Sequence, residues 1–339
     1  MKVAIVILNW NGEKFLKEFL PILIKCTTQE GAEIIIADNA SSDNSVKFLQ
    51  QNYPSLRIIQ NSTNEGFAGG YNTALKQIDA EYYVLLNSDI EVTPNWTQPI
   101  IALMDSDDKI AAVQPKILSY YNRSKFEYAG AAGGFIDYLG YPFCRGRIFE
   151  NIEKDNGQYD DVCEIFWATG AALFVKADVY HALNGFDAEF FAHQEEIDFC
   201  WRAKNNGYKI MCCPSSVIYH IGGGTLPKSS ARKTYLNFRN NYTLLYKNLL
   251  KNKFRKVIII RFPLDVLASL SFLAKGNLKE FLSVYKALRD FLKMRKRNRQ
   301  QWSALVRKEH STQIYHHSIV IKHYLGRVKK FSELPLNID

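Results

Sequence analysis

The first ninety residues alternate between short apolar runs and stretches whose apolar positions recur at helical spacing. Residues 2–8, 33–37, 56–60 and 82–86 are runs of Val, Ile, Leu, Ala and Tyr, each too short for a helix and bounded by polar residues, and they predict buried strands. Between the first two, Phe15, Leu16, Phe19, Leu20 and Leu23 fall on one face of a helix over 13–25. Ser41-Ser42-Asp43 reads as a second helix start, followed by Val46, Phe48 and Leu49. Residues 61–70 read as a polar, glycine-bearing loop and 71–78 as a third helix. Strand and helix in repeated alternation predict an α/β fold with a doubly wound, mainly parallel sheet. Beyond Trp96 the alternation weakens. Residues 111–118 predict a strand, 120–147 irregular or antiparallel structure, 195–205 a helix with acids in its first turn, and 210–220 further short strands.

Ligands on such sheets bind beyond the carboxyl ends of the strands. Here those ends carry Asn9 and Asn11, Asp38 and Asn39, Asn61 and Asn64, and Asn87 and Asp89. Turn chemistry explains any one of these pairs. Four on one rim argue for a site. Asn87-Ser88-Asp89, with one carboxylate, suits a hard cation or a turn. A GxGxxG after the first strand and a Walker A pattern are both missing, which weakens dinucleotide and NTPase readings.

Charge divides the chain. Residues 1–225 hold 18 Lys+Arg against 28 Asp+Glu, a net −10, and residues 226–339 hold 25 against 6, a net +19; together they make the +9 of the whole. We therefore expect two parts with different partners, residues 1–225 and a basic, mainly helical extension over 226–339. Six cysteines without CxxC spacing fit reduced thiols, and the N-terminus, entering a strand directly, does not read as a signal peptide.

Seven segments occur in one order: ILNWNG, IIIADNASSDNS, NEGFAGGYN, VLLNSDIEV, ATGAALFVKADVY, GFDAEFFAHQEEIDFCWR and VIYHIGGGT. In this combination residues 1–225 resemble the family 2 glycosyltransferases of GT-A fold, close to the bacterial rhamnosyltransferase-like branch. The resemblance implies an inverting transfer of a sugar from a UDP- or dTDP-linked donor to a hydroxyl of a glycan or lipid-linked acceptor. It implies a divalent cation, Mg²⁺ or Mn²⁺, that stabilises the departing diphosphate. Asp89 matches the last acid of the family's Asp-x-Asp motif, where Asn87 replaces the first, and His220 matches its late histidine. Asp38 matches the acid on the pyrimidine, an acceptor suited to an imide N–H, with Asn9 nearby. Asn64 and Gly66 match the segment along ribose and base, and Gly170 the loop beside donor sugar and acceptor. Glu195-Glu196 matches a Glu-Asp pair whose second member is the base. Glu196 is therefore the expected base, and Glu195 or Asp198 could substitute. Arg202 serves either the diphosphate or a neighbouring acid. A sugar-phosphate nucleotidyltransferase is the competing enzyme reading, but it needs a basic Gly-rich loop that residues 9–14 lack. A non-catalytic sugar- or lipid-binding protein is the third, since Asn87 and Glu196 depart from the pattern.

In the extension, Leu278, Phe281, Leu282, Tyr285, Leu288, Phe291 and Leu292 predict an amphipathic helix over 277–294 running into a basic cluster. Residues 257–274 are apolar but interrupted by Arg261, Pro263 and Asp265, a poor membrane span and a better interfacial or packed helical pair. Two expectations stay open: peripheral seating on the anionic cytoplasmic face of the plasma membrane, or a bundle packed on the catalytic domain with a solvated basic face. No nucleic-acid-binding module accompanies the charge.

Overall fold

The computed structural model describes residues 1–222, 230–308 and 312–335. Its main sheet is built from β1 (Val3–Asn9), β2 (Ala32–Asp38), β3 (Arg57–Gln60), β4 (Tyr82–Leu86), β5 (Ile90–Val92) and β6 (Ile110–Ser119), joined by later strands. A small sheet follows from β7 (Gly134–Asp137), β8 (Pro142–Cys144), β9 (Arg147–Ile148) and β10 (Asn151–Ile152). Then β11 (Cys163–Ile165), β12 (Ala172–Lys176) and β13 (Lys209–His220) return to the main sheet, and β14 (Ile314–Tyr315) adds to the small one. The main sheet runs β11-β13-β6-β12-β4-β1-β2-β3, with β5 against β13. Strands β1 to β4 pair in parallel, whereas β12 is antiparallel to β4 and β6, so the sheet is mixed.

The first four predicted strands form where the apolar runs lie, and for a common reason. Both faces are covered: one core cluster takes Ala4, Val6, Ile35, Tyr83 and Leu85, the other Val3, Ile5, Ile36, Val84 and Leu86. A strand buried on both sides needs a continuous apolar run. Helices α1 (Glu13–Cys26), α2 (Ser45–Asn52), α3 (Gly66–Leu75) and α4 (Gln98–Ser106) supply much of that cover.

Three boundaries differ from expectation. Helix α2 begins at Ser45, because Asp43 Oδ1 accepts from the Ser45 N–H at 3.0 Å while Ser41 and Ser42 serve the rim. Helix α3 begins at Gly66, inside the stretch expected to be loop. Its glycines are what allow the close approach to the neighbouring chain. Strand β13 is one long element rather than several, with irregular register at Lys209/Ile210 and between Cys213 and Val217.

Two helices, α5 (Ala177–Ala182) and α6 (Glu195–Asn205), follow β12. The extension then contributes α7 (Ala231–Asn248), α8 (Lys251–Ala274), α9 (Leu278–Arg297), α10 (Arg299–Ser303) and α11 (Ile319–Tyr324). Packing runs across the change in charge. Tyr242, Leu245, Phe291, Tyr315 and Phe331 share one core cluster with Phe135, Phe186 and Trp201, and β14 pairs with β7. Helix α8 runs through Pro263, and its best window, with a mean hydropathy of 2.0, is long and apolar enough to cross a membrane by length and composition. The helical pair expected within 257–274 is instead the single helix α8, which packs against α9.

Candidate active site

The polar rim assembles where the strand ends meet. Pairing of β1 with β2 sets Asn9 opposite Asp38. Asn9 Nδ2 donates to Asp38 Oδ1 at 3.0 Å, and the Ser41 N–H donates to Asp38 Oδ2 at 3.0 Å. Both residues are buried, and Asn9 Oδ1 is left without a partner. An unpaired buried acceptor costs free energy unless a ligand supplies a donor. The Asx-type turn at Asp38 therefore coexists with an acceptor site. Next to it the Asn39 amide donates to Asn64 Oδ1 (3.1 Å) and to the Gly66 carbonyl (3.0 Å), and Asn61 donates to Asn39 Oδ1 at 3.1 Å. These side chains fix the turn into α3.

Gly66 has φ +73°, and a Cβ there would sit 2.4 Å from the Phe191 carbonyl oxygen. That oxygen accepts from the Phe67 and Ala68 N–H groups at 2.7 and 3.2 Å. The segment holding Asn64 and Gly66 is thereby tied directly to the loop that precedes Glu195.

Asp89 follows β4, and β5 turns back antiparallel to β13 with Ile90 opposite His220. This register, joining positions 131 residues apart, brings His220 Nε2 within 3.2 Å of Asp89 Oδ1. On the far side of the ring, Glu127 Oε2 lies 3.4 Å from Nδ1, an ion-pair contact without hydrogen-bond alignment. All three residues are buried. Burial disfavours the charged form of His220, but Asp89 and then Glu127 outweigh it and push its pKa up to about 10. Burial likewise works to raise the Asp89 carboxyl, and the imidazole beside it prevails, leaving it below the usual range. Glu127 was missed in the sequence because it lies in an irregular, Gly- and Tyr-rich stretch with no motif around it. Asn87 is tied through its N–H to the Ala171 carbonyl at 2.9 Å, which joins the end of β4 to the loop containing Gly170.

Gly170 lies between Phe67 and Glu196. A Cβ built there would be 3.1 Å from the Phe67 ring and 3.8 Å from Glu196 Cβ. Glu196 is partly exposed, Glu195 is buried, and each keeps an Oε2 without a partner. Burial, then the neighbouring Glu196 charge, raises the Glu195 pKa well above normal. Desolvation pushes Glu196 up to about 7, a value suited to a general base near neutrality.

Asp198 has a different setting. It is fully enclosed, with Arg202 Nε at 2.8 Å and Lys247 Nζ at 2.7 Å on Oδ2, and Asn248 Nδ2 at 2.9 Å on Oδ1. Burial works to raise its pKa, and Lys247 and Arg202 override that and hold it low. Arg202 also donates to the Leu183 and Gly185 carbonyls at 2.6 and 2.7 Å. Of the two roles open to Arg202, the structure displays the acid pairing. Neither residue joins Glu195 and Glu196 in an open cluster.

The loop into α6 is strained and clamped from α7. Phe191, His193 and Gln194 have φ of 64°, 70° and 70°, conformations that cost non-glycine residues about 1–3 kcal/mol each. Asn240 Nδ2 reaches the carbonyls of Phe190, Ala192 and His193 at 3.0, 2.9 and 2.7 Å. Asn241 Nδ2 donates to Gln194 Oε1 at 3.1 Å, and Arg239 Nη2 to the Glu189 and Phe190 carbonyls at 2.9 and 2.8 Å. These clamps come from beyond residue 225, where sequence reading placed no site residue.

A family model described as glycosyl transferase family 2 matches residues 4–169. Over this region the chain belongs to glycosyl transferase family 2. Among curated relatives, the N-acetylglucosaminyl-diphospho-decaprenol L-rhamnosyltransferase of Mycobacterium tuberculosis is 21% identical, with 72% of this chain and 83% of that protein covered. The low-salt glycan biosynthesis hexosyltransferase Agl10 of Haloferax volcanii is 22% identical, covering 71% and 74%. Of solved structures, S. aureus TarS 1–349 in complex with UDP-GlcNAc superposes with TM-score 0.57 at 17% identity, covering 86% of this chain and 81% of that one. Pyrobaculum calidifontis mannosyltransferase PcManGT, in complex with GDP-Man and Mn²⁺, has TM-score 0.51 at 15% identity, covering 85% and 74%. The family 2 domain has the GT-A fold, with a helical C-terminal region, as the motif order implied.

Whether the residues fit a divalent cation depends on the donor set. Among the described residues no group of three or more His, Cys, Asp or Glu is arranged to hold a metal. Asp89 offers an oxygen ligand, and His220 a nitrogen ligand once the ring loses the proton that Asp89 and Glu127 hold on it, so the pair brings a single carboxylate. Such a pair fits Mg²⁺ or Mn²⁺ only when further oxygens come from a bound diphosphate.

Proposed function

We propose that this glycosyltransferase moves a hexosyl or deoxyhexosyl group, with inversion, from a UDP- or dTDP-linked donor to a hydroxyl of a glycan or polyprenyl-linked acceptor in cell-surface polysaccharide synthesis. The observation that carries this reading is Glu196. It is a half-buried residue whose carboxyl has a raised pKa and a buried, unpaired oxygen, set across Gly170 from the donor-side Phe67. The names of the relatives support the acceptor class: one acts on a diphospho-decaprenol lipid, another in glycan biosynthesis.

The acceptor hydroxyl attacks the anomeric carbon as the bond to the diphosphate oxygen breaks, and Glu196 takes the hydroxyl proton. One displacement with one base inverts the anomeric centre. The transition state is oxocarbenium-like, so room beside Gly170 for a flattened sugar ring matters. Asp38 and Asn9 face the base, Asn64 and Gly66 lie along the nucleoside, and Asn87 shapes the sugar end. Glu195, its pKa raised by burial and by the Glu196 charge, opposes a second negative charge beside Glu196. Asp198 and Arg202 position α6. Asp89 and His220, together with the diphosphate, would hold a divalent cation, which would supply Lewis-acid stabilisation of the leaving group. We place the protein in the cytoplasm, peripheral on the inner face of the plasma membrane, where a lipid-linked acceptor is within reach.

The test is a panel of UDP- and dTDP-sugars, each with Mg²⁺ or Mn²⁺, read first by thermal stabilisation and then by donor hydrolysis and transfer. One donor series should stabilise the protein, and Asp89→Ala should remove the metal-dependent part of the shift. Full transfer activity retained by both Asp89→Ala and Glu196→Gln would sink the assignment.

A further inference from the structure

Helix α8 is built inside out. Its buried stripe is Phe254, Val257, Arg261, Asp265 and Ser269. Arg261 donates to the Leu139 carbonyl (2.9 Å) and Asn241 Oδ1 (2.7 Å), and its guanidinium lies 3.8 Å from the Tyr141 ring centre. Asp265 accepts from Tyr242 at 2.7 Å and Tyr141 at 3.3 Å, and Ser269 Oγ is 3.1 Å from the Tyr285 hydroxyl. The charges that interrupt the apolar sequence are thus consumed inward. The outward side carries Ile259, Ile260, Phe262, Leu267, Leu270 and Leu273, with Ile259 74% and Leu267 61% exposed. Across the turn into α9, Leu278 and Leu282 are exposed as well. Contiguous apolar surface of this kind marks an interaction site rather than scattered exposure.

The charges around it select the occupant. Between Lys251 and Arg297 the sequence has 13 Lys+Arg and 3 Asp+Glu. Asp265 and Glu280 are buried, and Asp290 is half-buried, held by Tyr235 and Arg289. The exposed neighbours of the apolar face are Arg255, Lys256, Lys275, Lys279 and Lys286. A second copy meeting this face would bring cations against cations. An anionic bilayer satisfies both features, taking apolar side chains below its headgroups and cations among them. A span would have to carry Arg261 and Asp265 into the hydrocarbon together with their partners on α7 and in the β7–β8 turn.

We propose that the outward face of the α8–α9 hairpin is a lipid-binding surface that lies in the plane of an anionic membrane. This deepens the membrane placement proposed above and identifies the residues that make it. A cleft of about 500 Å³ between α7 and α9 adjoins this surface. It is lined by Phe191, Arg232, Tyr235, Arg239, Ser283 and Lys286 and has no carboxylate among its lining residues. Its lining includes Phe191, in the loop before Glu195, and Lys286, beside the apolar face of the hairpin.

The experiment is flotation of the full chain with phosphatidylcholine vesicles, with and without phosphatidylglycerol. The wild type should float with the anionic vesicles and do so less as salt rises. Ile259→Asp/Leu267→Asp and, separately, Lys275→Glu/Lys279→Glu should each cut the bound fraction about tenfold or more, the scale set by two basic contacts. Both alter exposed positions, so the charge-reversal pair keeps the test open if the apolar pair folds poorly. Three results would overturn the proposal: no flotation of the wild type, undiminished flotation of both variants, or vesicle-bound protein that alkaline carbonate cannot strip. A wild-type dimer in solution that Ile259→Asp/Leu267→Asp converts to monomer would overturn it too. Nucleotide-sugar hydrolysis on the same samples separates the two readings. Flotation without hydrolysis by any chain refutes the proposed reaction and leaves the surface standing; hydrolysis without flotation does the reverse.

Discussion

Asn240→Ala removes the main clamp on the loop that presents Glu196. The Asn240 amide reaches three carbonyls, those of Phe190, Ala192 and His193, and its Oδ1 accepts from Arg239 Nε at 2.9 Å. The side chain is wholly buried, so water does not replace these partners. The amide has two N–H groups to share among the three carbonyls, so at roughly 1 kcal/mol net for each, and somewhat more for the charge-assisted bond to Oδ1, the loss is about 3 kcal/mol. Arg239 Nη2 still holds the Glu189 and Phe190 carbonyls, so the deficit falls on Ala192 and His193. Those are the residues flanking and adopting the positive-φ conformations, where strain already favours release. Hydrogen exchange reads this without knowledge of the substrate. A 3 kcal/mol drop in the local opening free energy should speed exchange of amides 191–196 by roughly 100-fold. A global melt should fall by about 4 °C if the loss is felt throughout. If these amides exchange at the wild-type rate and the melting temperature is unmoved, the clamp does not hold the loop and the reasoning fails.

Other perturbations test the acids and the donor wall. Glu196 has a folded pKa raised to about 7 from 4.5, so the folded state binds the extra proton between those values. Its contribution to stability is therefore lost as pH rises through 7. Glu196→Gln should remove that loss, leaving the protein at least as stable at pH 8 as the wild type, while transfer falls about 10²–10⁴-fold. A wild-type transfer rate that does not decline below pH 7 would count against Glu196 as the base. Gly66→Ala forces a Cβ against the Phe191 carbonyl at a positive φ. It should lower the melting temperature and weaken binding of UDP or dTDP, read by calorimetry; unchanged binding would detach this turn from the donor site.

Much of the fold was legible because strands covered on both faces leave a plain record. Residues 2–8, 33–37, 56–60 and 82–86 had few alternatives to being central strands, and their polar ends had to share a rim once the strands paired in parallel. The start of α3 was not legible. Glycines at 66, 69 and 70 read as loop by intrinsic preference, and only the tertiary structure shows Gly66 against Phe191 and Gly70 against Asn39, where a Cβ has no room. The identity of the site residues lay in the motifs, but their states did not. Asp198 and Glu196 lie close together on one helix. The first is saturated by Arg202, Lys247 and Asn248, and the second keeps an unpaired oxygen.

The sequence by itself determined the alternation of elements, the amide and carboxylate residues at the strand ends, and the basic extension. The tertiary structure decided what those residues are near. The antiparallel return of β5 on β13 joined Asp89 to His220, and Glu127 closed the other side of the ring. Packing of α7 on α6 buried Asp198 and pinned the loop before Glu195. The turning of α8 put Arg261 and Asp265 inside and its aliphatic residues outside. Local composition fixes the conformation a segment prefers, whereas a side chain's charge state and exposure depend on partners distant in sequence.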